Sequence, residues 1–203
     1  MLDQFPVLNE TAFGSYAGYT FDGSNDLIQI PDHNDFNLAS TTTNKSVAIS
    51  FKTGIDIGTR QVIYEQGGGS RGLAVYIENN NLYFSAWNIP NDQGDGAWGP
   101  IRISSPVSVE SVYYVTFTYD GAAGEISAHA NGVSLGTQTG VGTLYAHGGD
   151  IGIGGMKDGS YFTSAASGNG HYFSGEIGEL IYWNETINGD QISDLHDYMS
   201  SRY

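Results

Sequence analysis

Not one of the 203 residues is cysteine, so disulfides, thiol catalysis and Cys-ligated zinc are excluded together. Bases are nearly as scarce: seven Lys and Arg stand against 22 Asp and Glu, a formal charge of -15. Nucleic acids and anionic membrane surfaces both call for clustered Lys and Arg, so this chain suits neither. No apolar run approaches the roughly 18 residues of a membrane span. The opening residues, Met1 to Pro6, hold neither the basic nor the apolar stretch of a secretory signal. On that basis the chain is either cytoplasmic or a module of a longer exported chain, and a surface rich in Asp, Asn, Gly, Ser and Thr favours the second. Proline is limited to 5 residues, and the 29 glycines follow no period, so they mark turns rather than a collagen or linker repeat. What such a chain attracts is cations.

What is present is alternation. Tyr113, Val115, Phe117 and Tyr119 share one face of a strand, with Tyr114, Thr116 and Thr118 on the other. The runs 73–78 and 82–87 alternate likewise, joined by a hairpin at Glu78 to Asn81, and Asp120-Gly121 and Asn131-Gly132 mark two further turns. Further strands are expected at 17–21, 27–30, 47–52, 61–66, 101–104, 126–130, 150–153 and 173–184. Many short strands without intervening helices predict an all-β, two-sheet antiparallel sandwich. Only 190–201 reads as a helix, with Ile192, Leu195 and Met199 on one face. No linker divides the chain: residues 1–203 read as one domain, with 1–16 as an N-terminal extension.

Two loops concentrate oxygen donors. The first, 88–100, carries Asn91, Asp92, Gln93 and Asp95 among glycines. A hard cation such as Ca²⁺ takes six to eight oxygens in irregular geometry, so Asn91, Asp92 and Asp95 form a candidate calcium set; the bland alternative is a solvated acidic loop. Trp98 and Gln93 are candidate ligand contacts there. The second loop, 156–171, offers Asp158 to complete such a site and Tyr161 as an aromatic wall; the alternative is a mobile loop. Arg71, on a glycine turn, pairs either with a ligand carboxylate or with a protein acid. The histidines at 33, 129, 147, 171 and 196 sit on separate elements without an H-x-x-x-H pair, so a zinc site could form only through tertiary proximity. His129 is expected to face a groove or solvent.

The succession of signals resembles a known family. Tyr19 to Asp32 (Tyr-Thr-Phe-Asp-Gly-Ser-Asn-Asp-Leu-Ile-Gln-Ile-Pro-Asp) is similar to the opening of laminin-G-like, concanavalin-type jelly rolls. Val47 to Lys52, Tyr113 to Gly121, Ile126 to Gly132, Ile151 to Gly155 and Phe173 to Asn184 follow that family in order. The resemblance implies two antiparallel sheets, one concave, with ligand on that face or on a rim of loops. It also implies a calcium ion tying the ends of two neighbouring strands at Asp22, with Asn25 and backbone oxygens near Glu176. An Asx turn at Asp22 is the competing reading.

Enzymes on this fold, the retaining glucanases, use a Glu-x-Asp-x-x-Glu strand with carboxyls about 5–5.5 Å apart. Here Glu176-Ile-Gly-Glu179 lacks the middle acid, and a regular strand puts 176 and 179 on opposite faces. A binding module without catalysis is therefore expected. The acidic, cysteine-free composition further resembles the peptide-binding modules of bacterial repeats-in-toxin adhesins. That resemblance implies a calcium-dependent adhesion module on a bacterial cell surface, exported by type I secretion. It would bind a peptide whose terminal carboxylate joins the metal shell. The alternative is a calcium-dependent lectin in which Trp98, Trp87 or Tyr161 stacks on a sugar.

Overall fold

The computed structural model describes residues 5–94 and 96–203. In chain order the strands are β1 (Val7–Phe13), β2 (Tyr16–Asp22), β3 (Ile28–Ile30), β4 (Thr41–Thr42), β5 (Asn44–Thr53), β6 (Gln61–Gly67), β7 (Arg71–Glu78), β8 (Asn81–Asn88), β9 (Trp98–Pro106), β10 (Val112–Asp120), β11 (Glu125–Ala130), β12 (Val133–Thr139), β13 (Leu144–Tyr145), β14 (Ile151–Ile153), β15 (Gly159–Tyr161), β16 (Ala165–Ser167) and β17 (Ser174–Trp183). A π-helical turn spans Asn34–Leu38 and helix α1 spans Gly189–Ser200. Two antiparallel sheets face each other as expected: β1-β2-β17-β5-β10-β11-β12 and β3-β14-β6-β7-β8-β9.

Alternation decides what lies between them. Val115, Phe117 and Tyr119 of β10 point inward to meet Val75, Ile77, Phe84 and Ile103 of the six-stranded sheet in one continuous core. The outward set on β10, with Tyr114 and Thr116, faces α1, whose His196 ring stands 5.9 Å from that of Tyr114. Asn188 starts α1 with a capping box, its side chain accepting from Gln191 N while the Gln191 side chain accepts from Asn188 N. Ile192 and Met199 are the helix's buried side chains.

Two expectations about the chain are corrected. Residues 7–13, placed in the N-terminal extension, form β1, an edge strand paired with β2. Only Ala12 and Phe13 of it are buried, and this hides the period that marks a half-buried strand. Loop 156–171 holds a small hairpin, β15–β16, lying on the outer face of the six-stranded sheet. Phe162 anchors it: fully buried, its ring meets Tyr76 edge-on at 4.9 Å, within a second apolar cluster of Val62, Ala74, Trp87 and Met156. Among the described residues no helix is long and apolar enough to cross a membrane.

Candidate functional site

Antiparallel pairing brings the end of β6, the start of β7 and the end of β8 to one rim of the sandwich, where Gly67 opposes Gly72 and Arg71 opposes Asn88. Arg71 is held there on several sides. Its side chain is 12% exposed, Nε donates to Oδ1 of the buried Asn88 at 2.7 Å, and the guanidinium stands 5.9 Å over the Tyr145 ring. Its outward nitrogen donates to Asp92, whose carboxylate is 51% exposed on the following loop. The guanidinium holds Asp92 below the ordinary carboxylate range, and Gln93 hydrogen-bonds to the same carboxylate. Asn91 closes its own loop, accepting from Gly96 N at 3.1 Å. Asp95 lies outside the described residues.

Beneath this rim sits His147. Nδ1 donates to the Tyr145 carbonyl at 2.7 Å, while Nε2 is buried without a partner. Burial, with smaller effects from Lys45 and Arg71, lowers its pKa to about 4. Lys45, buried nearby, donates to the Asp35 carbonyl at 3.0 Å and to Asn184, and lies 4.9 Å from the centre of the Tyr182 ring. Desolvation lowers its pKa to about 8.

Along the outer edge, by β3 and β14, three carboxylates are chained through backbone donors. Asp158 accepts from Asp150 N at 3.3 Å, Asp150 from Asp32 N at 3.1 Å, and Asp32 from Gly149 N at 3.4 Å. Asn37 bridges Asp32 and the Gly149 carbonyl, and Lys157 pairs with Asp158 at 2.7 Å. Sequence reading found Asp158 but missed Asp32, Asp150, Asn88 and His147.

The other candidates fall elsewhere. Asp22 opens an Asx turn, its Oδ1 accepting from Ser24 N at 2.7 Å and Asn25 N at 3.3 Å, while Asp26 accepts from Asp22 N. β2 and β17 are neighbours, with Asp22 opposite Ser174, but Glu176 turns to Asn9 (2.9 Å) and Lys52 (3.7 Å). Trp98 is not a loop aromatic. It begins β9, stacks on Tyr119 at 6.1 Å and donates Nε1 to the Thr143 carbonyl at 3.1 Å, so packing already uses it. Trp87 is fully buried, its Nε1 on the Gly68 carbonyl, and offers no face to a sugar. Tyr161 stays half-buried against the second apolar cluster.

The glutamate pair departs from a regular strand as well. A register shift between Ile177 and Leu180 turns Glu179 to the helix, where Tyr198 donates to it at 3.2 Å. The Tyr203 ring lies against Gly178, where a Cβ would come within 2.7 Å of it. The surface between the two glutamates is therefore filled.

Donor chemistry bears on both calcium readings: at Asp22 the Oδ1 is already taken by the Ser24 and Asn25 amides. At Asp92 a cation would have to expel the Arg71 guanidinium, so that part of the loop does not fit a metal as it stands. Asp32, Asp150 and Asp158 carry the hard carboxylate oxygens that calcium takes, but between them Asn37 turns its NH2, not its oxygen, to Asp32 and the Gly149 carbonyl. Among the described residues no three His, Asp or Glu side chains are grouped closely enough to hold a metal by themselves. All seven bases have partners inside the molecule. Besides those named, Lys52 and Arg60 pair with Glu176 and Glu78 at 3.7 and 2.7 Å, the Arg102 charge opposes the rise that burial causes in the Tyr76 pKa, and Arg202 lies 5.4 Å from the Tyr16 ring centre.

Solved structures share the architecture. The binding domain of botulinum neurotoxin serotype G superposes with a TM-score of 0.68 at 13% identity, over 96% of this chain, which spans only 45% of that one. The CBM40 of the Ruminococcus gnavus IT-sialidase, bound to alpha2,3 sialyllactose, gives 0.57 at 14% identity, covering 84% of this chain and 96% of that one. Domain 4 of AbnA, a GH43 extracellular arabinanase from Geobacillus stearothermophilus, in complex with arabinotriose, gives 0.62 at 13% identity over 94% and 81%. Such identities establish the fold. No curated protein sequence matches. The family model of the concanavalin A-like lectin/glucanases superfamily does match, over residues 22–193, and the chain belongs to that superfamily.

Proposed function

We propose that this chain is a non-catalytic binding module that captures a carboxylate-bearing ligand at Arg71, the ligand displacing Asp92. One observation carries the reading: Arg71 is fixed from behind by Asn88 and Tyr145, and its front meets the half-exposed Asp92 on a loop. A guanidinium held in place loses little freedom on binding, and its planar fork matches a carboxylate. Exchanging one carboxylate for another avoids leaving the cation bare. The filled surface over Gly178 supports a binder rather than a glycosidase.

The ligand we propose is a peptide presenting its free carboxy terminus. An acidic sugar is the second reading, supported by the sialyllactose-bound Ruminococcus gnavus module, since sialyllactose also ends in a carboxylate. The setting we propose is a cell-surface adhesin exported by type I secretion, a reading that rests on the acidic, cysteine-free composition. Calcium dependence is part of the proposal, carried by the acidic composition and tested by EDTA rather than assigned to Asp92.

Arrays of peptides with free and amidated termini, and of sialylated and neutral glycans, test this with and without EDTA. Arg71→Gln should lose at least about tenfold in affinity, the scale of one charged hydrogen bond. Asp92→Asn should bind as tightly or more tightly, because the internal competitor is gone. The calcium reading of the same loop predicts the opposite for Asp92→Asn, so a loss there overturns the displacement model. Unchanged binding in Arg71→Gln overturns the site.

A further inference from the structure

The chain's five histidines are scattered in sequence, yet the fold brings two of them to one pocket. His129 lies on the outer face of β11, opposite Ser134 of β12 and Thr116 of β10. His196 comes from α1, one turn after the buried Ile192, and the helix lies over the same face. Both line a pocket of about 200 Å³ between the β11–β12 hairpin and the helix, with Gly132, Ser134, Ile192 and Ser193.

Two further observations point to a ligand for the rings. The Nδ1 atoms of His129 and His196 are both buried and without a hydrogen-bond partner, and buried polar atoms are rarely left so. Gly132, at the hairpin turn, lets the His196 ring come close: a Cβ there would stand 2.8 Å from its Cδ2 and 2.9 Å from its Nε2. Any side chain at 132 would push the helix histidine away from the hairpin.

We infer that His129 and His196 form a two-imidazole site for a borderline divalent metal, zinc above all. Imidazole nitrogen suits Zn²⁺, Ni²⁺ and Cu²⁺, whereas the hard oxygen-seeking Ca²⁺ has no donor set here. Water or a ligand atom completes the shell. The excess of negative charge raises the local concentration of any cation. The site is remote in the fold from the Arg71 rim, so its loading and carboxylate capture are separate properties.

Calorimetric titration of the whole chain with ZnCl₂ alone, in calcium-containing buffer, tests this. We expect one zinc per chain. Affinity should fall at least about tenfold in His129→Gln and in His196→Gln and be retained in His33→Gln, whose ring is exposed on the π-helical turn's cap. Proton NMR of the wild type should show two imidazole spin systems, and only two, shifting together with zinc. Absence of zinc binding to the wild type overturns the inference, whatever the variants do. So does retained affinity in the His129→Gln, His196→Gln double variant, or a shift confined to other histidines.

Discussion

His147 shows how one side chain records the cost of building the rim. In the unfolded chain its imidazole takes a proton near pH 6.5, while in the folded chain burial delays this to about 4. The unfolded state therefore binds more protons between those values. The neutral-imidazole contribution is intact above about 6.5 and is lost as the pH falls toward 4. The size is on the order of 3 kcal/mol. Urea unfolding of wild type against His147→Gln, which can still donate to the Tyr145 carbonyl but cannot be protonated, should show the wild type losing ground across that window. Parallel curves would contradict the assignment. Arg71, by contrast, was half legible from sequence. Pairing outward from the Glu78–Asn81 turn sets Arg71 opposite Asn88, so its brace follows from register, but the acid that would cover it does not, because Asp92 sits on a loop whose path no pattern fixes. Trp98 misled for the converse reason: glycines around it concealed that β9 begins there.

At the scale of elements, the strands were readable wherever one face met the core and the other met solvent or the helix. β5, β7, β8 and β10 fall within a few residues of the alternation. β1 and the β15–β16 hairpin were not readable, one being exposed along most of its length and the other covering an outer face rather than the core. The hairpin conceals a tension. Glu65 on β6 is fully buried, accepts from Lys157 N at 2.9 Å, and has its Oε2 without a partner. Burial is the main cause of a pKa well above the ordinary range, opposed by the Lys157 and Gly152 amides and reinforced by Asp158. The carboxyl thus stays protonated in the folded chain while the unfolded chain has released its proton. Its stabilising contribution is present below about pH 4.5 and is lost as pH rises through the folded value. Glu65→Gln, a neutral isostere, should accordingly be more stable than wild type at about pH 8 and converge with it near pH 4. Chemical denaturation at the two pH values checks this. A variant less stable at both would mean that the carboxylate is ionised and paired.

The whole molecule was the most legible level. An acidic, cysteine-free chain with period-two strands had to bury its core between two sheets, and the ordered motifs named the superfamily that the match over residues 22–193 shows. Composition said less about where charge would be needed. The seven bases are distributed one by one to partners within the molecule, and the formal charge of -15 leaves the surface strongly anionic.

That distribution has a kinetic consequence. A ligand ending in a carboxylate is repelled at long range and meets an attractive charge only on contact with Arg71. Ions shorten the repulsion, whose reach is about 30 Å at 0.01 M salt and about 8 Å at physiological strength. The braced guanidinium is screened far less. Stopped-flow association should therefore accelerate as salt is added, the reverse of steered encounters between opposite charges. Such a module would capture its target most readily in brackish or saline water and slowly in fresh.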